Sequence, residues 1–275
     1  MNMEVKKHNN PRAIILRTAG TNCDYETGYA LEKAGADVDL IHINQLIKDK
    51  GLLSSYHIFV LPGGFTYGDD IAAGKVLANQ LRHHLLDELT RFVEDGKLVI
   101  GICNGFQVLI KMGLLPGING TQPSFNEYRQ EFTLTYNDSN KFEDRWVYLK
   151  SFSDKSVFID KDSILYVPIA HAEGKFTAEN EEELEILDKS GQIIFKYVDE
   201  DGNIRDYPWN PNGSLDSIAG VCDSTGRVLG MMPHPERHIE PTQHPRWTRE
   251  GLNKEGDGVV IFRNAVNYVK EEMCK

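Results

Sequence analysis

Apolar and polar positions follow two different rhythms along this chain. Ala13 to Leu16, Ile58 to Leu61 and Leu98 to Ile102 are short, continuous apolar runs, the pattern of strands buried on both faces. Val38 to Ile43 alternates and reads as a further strand. Helical spacing fills the intervals. Asp24 can cap a helix running through Tyr29, Ala30, Leu31 and Ala34, with Gly35 as its stop. Longer helical patterns run from about Ile71 to Val93, closed by Gly96, and from Phe106 to Leu115. Strands separated by helices imply right-handed βαβ units and a parallel sheet.

The second half changes rhythm. Glu131 to Tyr136, Trp146 to Leu149, Ile164 to Val167, Ile193 to Val198, Ile218 to Cys222 and Val228 to Met232 read as strands. Turn signals such as Asp201-Gly202 and Asn212-Gly213 separate them, so this half is β-rich and partly antiparallel. Glu179 to Glu185 is a solvated loop or a helix start. A last helix spans Gly258 to about Glu272. The expected class is α/β: a mostly parallel open sheet flanked by helices, with a β-rich antiparallel part in the second half. Residues 1–11 read as a frayed tail.

Composition narrows the function. With 40% hydrophobic and 26% charged residues in 275, the chain can build a core without staples. A net charge of −11 argues against nucleic acid and against a polybasic membrane surface. No apolar run approaches the roughly 18 residues of a spanning helix, and the polar start lacks a signal peptide's apolar core. The four cysteines, at 23, 103, 222 and 274, show neither CxxC pairing nor metal-ligand spacing. No metal and no disulfide framework is therefore expected, and the reading is a reducing cytoplasm.

The four cysteines differ in setting. Cys103 lies in Gly101-Ile102-Cys103-Asn104-Gly105, after a strand and before a helix, the setting of a nucleophile elbow. Small neighbours let strand and helix approach, and the helix N-terminus favours negative charge on sulphur. A buried structural cysteine between incidental glycines is the alternative. Cys23 also precedes a helix but lacks elbow glycines. Cys222 reads as core and Cys274 as tail.

A thiol nucleophile needs a base, and the base an orienter. Pro233-His234-Pro235-Glu236 supplies both: in an extended segment Glu236 would project to the same side as His234. A surface turn is the alternative. His42, His57, His83 and His84 have no comparable setting. Leu61-Pro62-Gly63-Gly64-Phe65 ends a strand with glycines whose N–H groups could join that of Asn104 in an oxyanion hole, or could form a plain turn.

Together, Pro62-Gly63-Gly64, Gly101-x-Cys103-x-Gly105-x-Gln107 and His234-Pro235-Glu236 resemble the class I (triad) glutamine amidotransferases. Further segments are similar to one branch, the glutaminase subunits of phosphoribosylformylglycinamidine synthases. They are Gly20 to Asp24, Gly63 to Asp70, Gly74-Lys75, His171 to Phe176, Asn210 to Ser214 and Met232 to Arg237. The resemblance implies a flavodoxin-like α/β fold and one domain over 1–275, because the triad draws on both halves. It implies Cys103 as nucleophile, His234 as base and Glu236 as orienter. Gly64 and Asn104 would give backbone donors. Gly63, Gln107, Asn137, Ser139 and Phe142 would border glutamine, and His171 and Glu173 the partner or channel side. Glutamine would be hydrolysed and its ammonia passed on.

This chain carries no nucleotide-binding motif and no cofactor of its own is expected. ATP and Mg2+ would belong to an ATP-dependent synthetase partner, often joined by a small third subunit. Pro123 to Arg129 and Gln243 to Gly258 match nothing familiar and read as extra loops or partner contacts. The rival readings are a glutaminase subunit of another amidotransferase, a non-catalytic regulator on the same fold, and a cysteine peptidase.

Overall fold

The computed structural model describes residues 10–117 and 130–274. Most of the tail 1–11 and the segment Pro123 to Arg129 lie outside the described residues.

Eleven strands and seven α-helices are present among them. The first half runs β1 (Arg12–Arg17), α1 (Asp24–Ala34), β2 (Asp37–His42), α2 (Ile43–Lys48), β3 (Ile58–Leu61), α3 (Lys75–Glu94), β4 (Leu98–Ile102) and α4 (Asn104–Met112). Then come β5 (Phe132–Thr135), β6 (Glu143–Ser151), β7 (Ile164–His171), β8 (Lys175–Ala178), α5 (Glu181–Lys189) and β9 (Ile193–Val198). The chain closes with β10 (Ile218–Cys222), β11 (Val228–Met231), α6 (Trp247–Glu250) and α7 (Val259–Glu272).

Nine strands form one sheet in the order β2-β1-β3-β4-β11-β10-β9-β6-β7, and β5 pairs with β8 separately. Neighbours from β2 to β11 are parallel, and those from β11 to β7 are antiparallel. The apolar runs become the fully buried strands β3 and β4. The β-rich half is thus mainly an extension of the same sheet. It curls back on itself: Pro168 O, on edge strand β7, accepts His234 N–H at 2.8 Å. The far end of the sheet thereby meets the carboxyl ends of β4 and β11.

Several local expectations shift. The N-cap of α1 is Cys23, and Asp24 is the first helical residue, paired with Arg17 at 2.5 Å. Gly35 stops the helix in a left-handed conformation. Helix α3 begins at Lys75 after left-handed Gly74, not at Ile71. The acidic run resolves as a helix start: Asn180 Oδ1 caps Glu183 N–H at 2.9 Å, and acidic side chains fill the positive first turn of α5. Strand β8 lacked a legible alternation.

The segment Gln243 to Gly258 packs against β6 and β7. Asp257 Oδ2 accepts Tyr166 N–H at 2.9 Å, and His238 Nδ1 donates to Tyr166 O at 2.7 Å. Trp146, Tyr166, His238 and His244 cluster in tilted and edge-on contacts with centroids 5.1 to 6.1 Å apart, and Arg246 donates to Tyr148 Oη at 3.1 Å. The outward backbone groups of Tyr166, in the middle of the edge strand, are therefore occupied.

Two glycines test the packing. A Cβ on Gly105 would stand 1.9 Å from the Leu61 carbonyl oxygen, so α4 sits on β3 only because that position is bare. A Cβ on Gly28, within α1, would meet Ile15 at an ordinary 3.5 Å. Gly105→Ala is expected to lower the unfolding free energy by about 2 kcal/mol or more. Gly28→Ala is expected to raise it by up to about 1 kcal/mol, through helix propensity. Urea-denaturation midpoints measure both.

Candidate active site

Cys103 joins β4 to α4 with φ 51° and ψ −105°, a strained geometry for a residue with a side chain. Its backbone is held at both ends. Its N–H donates to Met231 O at 2.8 Å, and its carbonyl accepts Gln107 N–H at 3.1 Å. The following helix is buried at all nine residues. The thiol contacts Ala170 O at 3.8 Å, across the curl of the sheet.

Beside it, His234 Nδ1 donates to Glu236 Oε1 at 2.6 Å, both side chains being buried. The pairing was expected, but its geometry was not. Pro235–Arg237 forms a 3-10 turn, as suits proline at a first helical position, so Glu236 reaches the imidazole around a turn and not along a strand. Burial alone would lower the His234 pKa. The Glu236 carboxylate and the Cys103 thiol outweigh it and raise the value well above the ordinary one. Glu236 holds Nδ1, which leaves Nε2 as the nitrogen available to move a proton.

The loop after β3 lies against this pair. Gly63 has no room for a side chain: a Cβ would come within 2.7 Å of His234 Cε1 and 3.0 Å of Cys23 Sγ. The Thr21–Gly64 bridge is flanked by Asn22 N–H to Gly63 O at 3.4 Å and Phe65 N–H to Gly20 O at 2.9 Å. The Gly64 N–H stands outside that ladder. The Asn104 N–H opens α4 and has no intrahelical acceptor. Asn104 Oδ1 also accepts Thr66 Oγ1–H at 2.7 Å, and Asn104 Nδ2 donates to Asp69 Oδ1 at 3.2 Å. One side chain thus ties the loop to the helix. A thiol at a strained elbow, an oriented imidazole and two unspent N–H groups form an acyl-transfer constellation.

Cys23, which lacks elbow glycines, nevertheless belongs to this cluster. Its Sγ lies 4.0 Å from His234 Nδ1, donates to Asn22 Oδ1 at 3.1 Å and accepts from Arg237 Nη2 at 3.2 Å. It faces the nitrogen already given to Glu236, and burial pushes its pKa up to about 11. That suits a packing thiol better than a nucleophile. Ligand atoms of Cys23, His234 and Glu236 lie within 4.8 Å of one another, close enough for a metal. The Arg237 guanidinium on the sulphur and the His234–Glu236 bond occupy those donors instead. The sequence carried no signal for this proximity, because it depends on the Gly63 contact.

The family model for the CobB/CobQ-like glutamine amidotransferase domain matches residues 10–269. The phosphoribosylformylglycinamidine synthase subunit PurQ of Dehalococcoides mccartyi is 47% identical over 263 residues, which cover 94% of this chain and 98% of that protein. The chain belongs to the PurQ family of glutamine amidotransferases. The PurQ subunit of Methanococcus maripaludis is 40% identical over 270 residues, covering 94% and 97% of the two chains. A chain of the PurLQS structure from Thermotoga maritima superposes with TM-score 0.70 at 30% identity, covering 94% and 99%.

Within this PurQ-family site, the expected glutamine-bordering residues divide. Gln107 spends both ends of its amide inside: Oε1 accepts Asn104 Nδ2–H at 3.0 Å, and Nε2 donates to Glu173 O at 2.6 Å. Asn137 is likewise buried and committed, to the carbonyls of Lys141 and His171 and to Gly174 N–H. Both brace the site. Ser139 Oγ accepts Lys141 N–H at 3.3 Å. Phe142, 49% exposed, pairs with 44%-exposed Phe65 at 6.3 Å, one residue beyond Gly64. Glu173 Oε2 accepts Ala73 N–H at 3.2 Å. His171 is only 3% exposed, its ring turned into the interior of the chain. Its ring is close enough to His234 for charge there to lower its pKa, though burial is the larger cause.

His234 also sets a pH dependence. A histidine pKa raised by folding stabilises the fold below its unfolded value, and this is lost as pH rises through the folded value. Glu236→Gln removes the strongest raising influence. The alkaline limb of a kcat/KM profile for glutamine hydrolysis is expected to move to lower pH.

Proposed function

We propose that this chain is the glutaminase subunit of a phosphoribosylformylglycinamidine synthase, acting in purine biosynthesis. The observation that carries the chemistry is the set formed by Cys103 at its strained elbow, the His234–Glu236 pair and the free Gly64 and Asn104 N–H groups. The pathway rests on the PurQ relatives, matched over nearly their full length.

The Cys103 thiolate attacks the side-chain amide carbon of glutamine. Negative charge gathers on the amide oxygen, where the Gly64 and Asn104 N–H groups receive it; losing one such donor costs about 3 kcal/mol of barrier. The imidazolium of His234 gives its proton from Nε2 to the departing nitrogen, so ammonia leaves and a γ-glutamyl thioester remains. Neutral His234 then takes a proton from water, whose oxygen attacks the thioester carbon. Glutamate leaves, and the Cys103 thiolate and imidazolium are restored.

Ammonia free in water is mostly ammonium and not nucleophilic, so this subunit is proposed to pass it directly to a second polypeptide. That partner is an ATP-dependent synthetase, with ATP and Mg2+ on its side, joined by a small third subunit. It converts formylglycinamide ribonucleotide to formylglycinamidine ribonucleotide. The similarity to a chain of the Thermotoga maritima PurLQS structure supports such a multi-subunit assembly. Among the described residues no helix is long and apolar enough to cross a membrane. Three buried, unpaired cysteines fit a reducing cytoplasm.

A glutamine-mimicking diazo-ketone is expected to alkylate Cys103, mapped by mass spectrometry; an adduct on Cys23 would reverse the assignment. Cys103→Ala should lose glutamine-supported synthesis in the complex by at least about 10³-fold. Synthesis from added ammonium salt should persist. Loss of both activities from an intact complex would refute the division of labour.

A further inference from the structure

His171 ends β7, next to the residue whose carbonyl touches the Cys103 thiol. The hydrogen-bond network fixes its protonation. Asn137 Nδ2 donates to two carbonyls, Lys141 O and His171 O, each at 2.9 Å. That leaves Asn137 Oδ1 as an acceptor, and it takes Gly174 N–H at 3.0 Å. A flipped amide would set N–H against N–H and carbonyl against carbonyl. Oδ1 also faces His171 Nδ1 at 3.2 Å, so Nδ1 must carry the proton. The other nitrogen, Nε2, is then a bare lone pair.

That lone pair is buried and has no hydrogen-bond partner. An unmet buried acceptor costs about 1–3 kcal/mol, so its retention one residue from the carbonyl that touches the reacting thiol needs a reason. The ring is also clamped in place, because a Cβ on Gly174 would fall 2.2 Å from His171 Cε1. The ligand that fits Nε2 is a small hydrogen-bond donor. It must also be uncharged, because a cation would be desolvated beside the His234 imidazolium.

We propose that His171 Nε2 is the receiving acceptor for ammonia released at Cys103, holding it by one N–H at the start of its path to the partner. The inference rests on the glutaminase reading above and adds a residue to it. No bond forms or breaks at His171; ammonia arrives and leaves as NH3. Burial, with the nearby His234 charge, drives the His171 pKa down to about 3. The imidazole therefore accepts an N–H without handing over a proton, and ammonia stays in its nucleophilic form.

The test uses the assembled complex with its synthetase partner and compares glutamate formed with amidated product formed. His171→Asn keeps a donor toward Asn137 and removes the Nε2 acceptor. The glutamate-to-product ratio should rise about fivefold, the effect of one lost hydrogen bond. His171→Gln, which returns an acceptor near that point, should bring the ratio back toward the wild-type value. Synthesis from added ammonium salt checks that each complex is intact. An unchanged ratio in His171→Asn overturns the proposal. So does accumulation of the γ-glutamyl thioester, which would mean that His171 positions the hydrolytic water. If the wild-type complex itself forms no glutamate, the glutaminase reading fails first, before any variant is compared.

Discussion

The site is organised by one close contact, that of the first turn of α4 with the carboxyl end of β3. Gly105 rests against the Leu61 carbonyl with no space for a methyl group. This contact brings the N-terminus of a buried helix, the glycine loop after β3 and the elbow at Cys103 into one small volume. The Asn104 side chain fastens the arrangement to Thr66 and Asp69. Strain at Cys103 persists because both its amide N–H and its carbonyl are held by neighbours that cannot move independently.

The second half of the chain completes what the first half begins. Strand β11 lies against β4 and delivers His234 beside the elbow. The antiparallel strands then curl round, so that the Ala170 carbonyl, at the far end of the sheet, arrives at the same thiol, with His171 the next residue along. One face of the nucleophile is therefore built from early residues and the other from residues more than sixty positions later. Neither half holds a usable site alone.

Much of this was legible in the residues. The continuous apolar runs marked β3 and β4, and the glycines around Cys103 marked the elbow, because both patterns follow from local geometry. The pairing of His234 with Glu236 was legible too, although proline turned the segment where alternation had suggested an extended strand. Other features depend on contacts between distant segments. Cys23 gains its place from the bareness of Gly63. Gln107 and Asn137 brace the site because their amides meet Glu173 and His171, which only the curled sheet brings near. Strand β8 pairs with β5 across an intervening hairpin, so no local alternation announces it.

The covered edge of β7 has a further consequence. A strand at the border of a sheet normally presents unpaired N–H and C=O groups that another chain can extend. Here Pro168 offers no N–H, its carbonyl is held by His234, and Tyr166 is held by Asp257 and His238. Strand addition is blocked across Tyr166 and Pro168, the middle of that border, both to copies of the chain stacking into fibres and to a foreign peptide. A polypeptide approaching there must recognise side-chain shape and charge, which discriminates among partners far better than a generic backbone ladder.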